Sequence, residues 1–95
     1  MLNEPLDAVR ARQLIRRILK DGIYSFTRHA EQRMQELGLT QVDCVNALRG
    51  GFVRDEYTTF ENNSWRYRVE TPAIGVVVAF RTENNLVVVT VVRLV

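Results

Sequence analysis

A chain of 95 residues, 46% hydrophobic and 25% charged with a net charge of +2, is expected to form one ordinary soluble globular domain over residues 1–95. It has no apolar run near the ~20 residues of a spanning helix, and its polar opening MLNEPLDAVR does not read as a secretion signal, so no membrane association is expected. A single cysteine, Cys44, and a single histidine, His29, argue for a reducing cytoplasm and against a dedicated zinc site, and no metal or cofactor is expected.

Asn3 is a suitable cap for a first helix that takes Pro5 in its opening turn. Ala8, Ala11, Leu14, Ile15, Ile18 and Leu19 keep helical spacing as far as Asp21-Gly22, the stop. Arg10, Arg17 and Lys20 line its outer face, either as a nucleic-acid stripe or as a solvated exterior whose charge Glu4 and Asp7 dilute. Of 13 basic residues only Lys20 is lysine; arginine's planar fork suits phosphate, although such a bias also arises from coding composition. Ile23 to Phe26 is short and β-prone, a brief strand or an extended link. Thr27 then caps a second helix that Gly38 ends. Ala30, Met34 and Leu37 form its apolar stripe, while His29 and Arg33, one turn apart, share another face with Gln32 and Glu36 nearby. Thr40 and Asp43 resemble a capping box opening a third helix, with Val42, Cys44, Val45, Ala47 and Leu48 as its apolar residues and Gly50-Gly51 as its end.

From Phe52 onward the period changes from 3.6 to 2. Phe52 to Phe60 reads as one strand and Glu61-Asn62-Asn63 as a turn. In Ser64 to Glu70, Trp65, Tyr67 and Val69 alternate with Ser64, Arg66, Arg68 and Glu70. Ile74 to Arg81 and Leu86 to Val95 are apolar on both faces, which places both centrally or under cover. The short connections predict an antiparallel meander of four strands with the N-terminal helices packed on it, an α+β fold. An apolar last strand must lie inside the sheet, be covered by a helix, or meet a partner chain such as a second copy.

His29 lies in the first turn of its helix, and a neutral imidazole there can act as a general base. Arg33, Arg66, Arg68 and Arg93 can bind phosphate and stabilise charge developing on it. Tyr57, Trp65 or Tyr67 can stack on a base. Imidazole plus guanidinium is the minimum for metal-free RNA cleavage through the ribose 2′-hydroxyl, a chemistry DNA does not offer. Plainer roles compete: His29 as a helix-end hydrogen-bonder, Arg66 and Arg68 as partners of Glu56 or Glu70, Cys44 and the strand aromatics as core.

The run Phe26-Thr27-Arg28-His29-Ala30-Glu31-Gln32-Arg33-Met34 resembles the F-[ST]-x-H-A-x-x-R-M motif of a bacterial family of unknown function grouped with the RelE/ParE-like toxins. The stretch from Gly38 to Gly50, the strand Trp65 to Val69, and Thr90 to Arg93 follow that family's order and spacing. The resemblance implies a RelE-like α+β fold and a toxin, or toxin-derived protein, paired with an antitoxin. It implies a messenger-RNA endonuclease, free or ribosome-dependent, or a gyrase poison. It also implies that His29, Arg33 and Arg68 are catalytic and that Thr90 and Arg93 bind RNA or phosphate, to which the polar face of the Ser64–Glu70 strand adds Arg66 as a further phosphate-binding candidate. Three positions depart from the pattern: Leu37 replaces an arginine, Gly75 to Val78 lacks a histidine, and Val92 replaces a tyrosine. A non-catalytic interaction module, binding a partner or its own copy, is the alternative.

Overall fold

Capping chemistry sets the helix boundaries in the computed structural model, which describes residues 2–95. Helix α1 spans Ala8–Asp21, with Asp7 accepting from the Arg10 N–H and Gly22 closing the end through its N–H on Ile18 O. Helix α2 spans Arg28–Leu37, capped by Thr27, whose hydroxyl accepts from Ala30 N–H, and closed by Gly38 in the left-handed conformation, φ 69°. Helix α3 spans Gln41–Gly50 behind a reciprocal capping box between Thr40 and Asp43.

Helix α1 thus starts later than Asn3 predicts. The Leu6 N–H donates to the Tyr67 hydroxyl at 3.0 Å, and that hydroxyl donates to Glu4 Oε2 at 2.8 Å. These bonds tie the segment ahead of Asp7 to the sheet and keep it out of the helix.

The fold is α+β, but its sheet is six-stranded and mixed rather than four-stranded and antiparallel. Ile23–Phe26 forms β1, Phe52–Val53 β2, Thr59–Glu61 β3, Ser64–Glu70 β4, Ile74–Thr82 β5 and Asn85–Arg93 β6. The order is β1-β6-β5-β4-β2, with β3 also pairing β4. Strand β1 runs parallel to β6, from Ile23↔Asn85 to Phe26↔Val88. Four residues carry too little periodicity to announce a parallel pairing across some sixty intervening positions. The stretch Phe52 to Phe60 is not one strand, because a 3₁₀ turn at Asp55–Tyr57, closed by Tyr57 N–H on Arg54 O, divides it. The last strand lies inside the sheet along its first half, between β1 and β5, and α2 packs beside it.

All three helices pack on one face. The core joins Ala11, Ile15 and Ile18 of α1, Ala30 and Met34 of α2, and Cys44, Ala47 and Leu48 of α3 to Tyr67, Val69, Val76, Val78, Leu86, Val88 and Val91 of the sheet. Each large side chain buried there contributes about 1.5–3 kcal/mol. The other face carries Arg66, Arg68, Gly75, Val77, Thr90 and Val92, and among the described residues no helical side chain joins the core from that side.

One irregularity decides what that open face displays. Val78 pairs with Val88 but Val77 pairs with Thr90, so Val89 is an extra residue in β6. In a regular strand Val88 and Thr90 would share a face. The bulge reverses the alternation, leaving Val88 and Val91 in the core and turning Thr90 outward.

Candidate functional site on the open face of the sheet

The bulge is also where α2 is anchored. Thr27 N–H donates to Val88 O at 3.0 Å, and its hydroxyl donates to Val89 O at 3.0 Å while accepting from Ala30 N–H. One threonine therefore caps α2 and fixes its first turn to β6. Two residues on, His29 Nε2 lies 3.1 Å from Thr90 Oγ1. His29 is exposed and Thr90 half-buried. The bond has two readings: Nε2–H donates to the hydroxyl and leaves Nδ1 as a free base, or the hydroxyl donates to Nε2.

The strand registers extend this contact into a row. Thr90 pairs with Val77, and Val77 pairs with Arg68. Arg68, Val77 and Thr90 thus cross three strands on one face, with His29 at the end of the line. Two strand spacings put the Arg68 and Thr90 backbones about 10 Å apart, within reach of one nucleotide when the arginine side chain extends.

Arg68 is held at its own end. Its guanidinium lies 4.6 Å from the Tyr57 ring centroid, and its Nε lies 2.7 Å from Glu70 Oε2, a close ion pair although the N–H is not aimed at that oxygen. It crosses Gly75, where a Cβ would sit 3.1 Å from Arg68 Nε and 3.0 Å from Val92 Cγ2. Glycine at 75 is what lets the arginine lie flat on the sheet. Glu70 also pairs with Arg54 at 3.3 Å, and Arg54 with Glu56 at 2.9 Å. The Glu56 hydrogen bond raises the Arg54 pKa, and the same bond lowers that of Glu56. The plainer expectation for Arg68, a pairing with Glu70, is thus present together with its place in the row.

The other residues expected at the site lie outside the row. Arg66 is on the same strand and face but pairs with Glu61 at 3.5 Å. Arg33 pairs with Glu36 at 3.0 Å on α2. Arg93 pairs in register with Ile74, on the helix side of the sheet, and donates to Leu37 O at the end of α2. That places Arg93 as a bracket on a helix C-terminus, where a cation is favoured, and turns it away from Thr90. Tyr67 and Val69 are core, as their alternation predicts, and Trp65 is half-buried against it. Residues 26–93 match a family described as "Domain of unknown function (DUF4258)".

The chain belongs to this family. No curated protein and no solved structure matches it. The DUF4258 match begins at Phe26 and so takes in His29, Thr90 and Arg68 while leaving α1 outside.

Of the three apolar departures noted in the sequence, Val92 lies on the open face of this DUF4258 chain, and the stretch Gly75 to Val78 divides, with Gly75 and Val77 on that face and Val76 and Val78 in the core. Val92 pairs with Gly75 and is half-buried, and Val77 lies in the row itself. The third, Leu37, packs against the core. Glu70, Arg54 and Tyr57 form the support around Arg68; Glu70 was legible, since it shares the polar face of β4, whereas the turn that brings up Tyr57 was hidden in a stretch read as one strand from Phe52 to Phe60. What no pattern reveals is the bulge at Val89, since an unbroken valine run carries no mark of where the alternation slips. Among the described residues, no three His, Cys, Asp or Glu side chains group so as to hold a metal ion.

Proposed function

We propose that this DUF4258 protein is a RelE/ParE-like, toxin-type endoribonuclease that cuts messenger RNA without a metal, with an antitoxin protein as its natural counterpart. The observation that carries this reading is the row Arg68–Val77–Thr90–His29 on the sheet face opposite the helical core. His29 takes the proton of a ribose 2′-hydroxyl, and the freed oxygen attacks the adjacent phosphorus. The bond to the 5′ oxygen breaks, and that oxygen receives a proton from the imidazolium or from water. A 2′,3′-cyclic phosphate and a 5′-hydroxyl end result. Thr90 orients the ring. Arg68 leaves Glu70 for the phosphate, with Tyr57 supporting its guanidinium and available to a base.

A second reading, a non-catalytic interaction module, is favoured by a specific observation. Arg33, Arg66 and Arg68 each already have a carboxylate partner, and Val77 and Val92 make the floor apolar.

The test is induction in bacteria of the protein and its His29→Ala and Arg68→Ala variants, followed by growth and mapping of messenger-RNA ends. The expected result is arrest with new 5′-hydroxyl ends, lost in both variants. Intact messenger RNA in the presence of soluble, folded protein would sink the nuclease reading and leave the interaction module.

A further inference from the structure

The outer edge of β1, the strand that leads into α2, is unpaired among the described residues, since the strand order ends there. Ile23 N–H bonds Asn84 O and Thr27 N–H bonds Val88 O. In a parallel ladder this alternation commits Ile23, Ser25 and Thr27 to β6 and turns the N–H and C=O of Tyr24 outward. Ile23 is 65% exposed and Tyr24 40%. Beside Tyr24 lies a hollow of about 280 Å³ walled by Val42, Val45 and Arg49, and Val42 is 66% exposed. Arg49 also lines the next hollow, about 460 Å³, with Arg16, Leu19 and Lys20. Arg16 is fixed there by its Nε–H on Arg49 O at 2.9 Å. None of these three cations has a carboxylate within ion-pairing distance among the described residues, whereas the arginines of β4 all do.

We propose that this edge and groove take an extended acidic segment of a partner protein, added to the sheet as a strand beyond β1. The free main-chain pair at Tyr24 supplies the ladder, the Tyr24–Val42–Val45 hollow takes an apolar side chain, and Arg16, Lys20 and Arg49 meet the carboxylates. An open backbone edge and apolar walls favour a peptide over a nucleic acid. The inference stands apart from the nuclease reading, because neither hollow is lined by any residue of the Arg68–Val77–Thr90–His29 row.

The test uses the full chain and a fluorescent peptide alternating glutamate and valine, with its lysine-for-glutamate counterpart and two forms N-methylated on alternate amides. Anisotropy is expected to show binding of the glutamate peptide alone. Binding should fall at least about tenfold when one N-methylation register is used and not the other. It should fall as much in a Lys20→Glu, Arg49→Glu double variant and stay unchanged in His29→Ala. Equal binding of the lysine peptide, equal binding of both methylated forms, or no binding by the folded protein overturns the proposal. So does an oligoribonucleotide that binds where the peptide does not, in a manner lost with Lys20 and Arg49. A dimer in sedimentation that the peptide cannot displace would give the edge to a second copy, and overturns it too.

Discussion

His29 Nε2 stands 3.1 Å from Thr90 Oγ1, and this contact joins the first turn of α2 to the outward-facing residue of a bulged strand. Two features that the sequence presents separately, a capped helix and a valine-rich terminal strand, meet there because Thr27 serves both as helix cap and as donor to Val89 O. Removing the hydroxyl while keeping the shape tests what the contact does. Thr90→Val should leave the fold intact and lower RNA cleavage about tenfold by releasing the ring. His29→Ala should lower it about 10²- to 10⁴-fold, the range of a lost general base. Cleavage of an oligoribonucleotide, with ribosomes added if required, checks both; a Thr90→Val enzyme as active as the parent would show that the hydroxyl orients nothing.

Glu70 holds Arg68 at 2.7 Å and Arg54 at 3.3 Å, so it neutralises the charge that RNA phosphate would otherwise meet. Glu70→Gln keeps the shape and removes the competitor. Oligoribonucleotide affinity is expected to rise about three- to tenfold, with a steeper dependence on salt as a further cation becomes available to phosphate. A titration at two salt concentrations decides it, and unchanged affinity would mean that Arg68 never leaves its carboxylate.

Gly75 matters for the space it leaves. A methyl group there would lie 3.0 Å from Val92 Cγ2 and 3.1 Å from Arg68 Nε, and the long arginine is the easier of the two to move. Gly75→Ala should therefore lift Arg68 from the sheet and away from Tyr57. The Arg68 Nε–H resonance, assigned by its loss in Arg68→Lys, should shift in Gly75→Ala while core methyl resonances stay in place.

The helices were largely legible, because capping is local chemistry: Thr27, Gly38 and the Thr40–Asp43 pair each act within a few residues of themselves. The first helix shows the limit, since the choice of Asp7 over Asn3 depends on Tyr67, some sixty residues away. The alternation of β4 gave its faces correctly, with Tyr67 and Val69 in the core. Ile23 to Phe26 was left open between strand and link, and its parallel pairing with β6, like the break between β2 and β3, was missed because such short segments do not show a period. Of the site, His29, Arg68 and Thr90 come together on one surface. Arg93 does not, because the Val89 bulge shifts the parity of everything after it, and a run of valines gives no sign of such a shift.

Tyr67 provides a test of the N-terminal tether. Its ring is fully buried, and its hydroxyl both accepts from Leu6 N–H and donates to Glu4; burial is the main reason its pKa is raised, opposed by the Leu6 bond and aided by Glu4. Tyr67→Phe keeps the packing and leaves the Leu6 donor without its partner. A loss of about 1–2 kcal/mol is expected in denaturant unfolding, with faster proteolysis around residues 4–7. Unchanged protease sensitivity would mean that the hydroxyl does not hold the segment.

Cys44 supplies a pH dependence of determinate sign. Burial first, and the neighbouring Asp43 charge second, push its thiol from 9.0 up to about 11. The folded state therefore keeps the thiol proton over a range in which the unfolded chain has lost it. The contribution to stability is complete below pH 9 and is lost as pH rises from 9 toward 11; Tyr67, also raised by burial, adds a loss of the same sign above pH 10. Cys44→Ala lowers the overall stability by removing packed volume, so the diagnostic quantity is the slope and not the level. Between pH 9 and 10, the fall of unfolding free energy with pH should be shallower in Cys44→Ala than in the parent. In the parent at pH 8, a thiol reagent should label Cys44 only as fast as the protein opens, so the rate should climb with added denaturant. Rapid labelling without denaturant would place this sulfur at the surface and remove the basis for the pH effect.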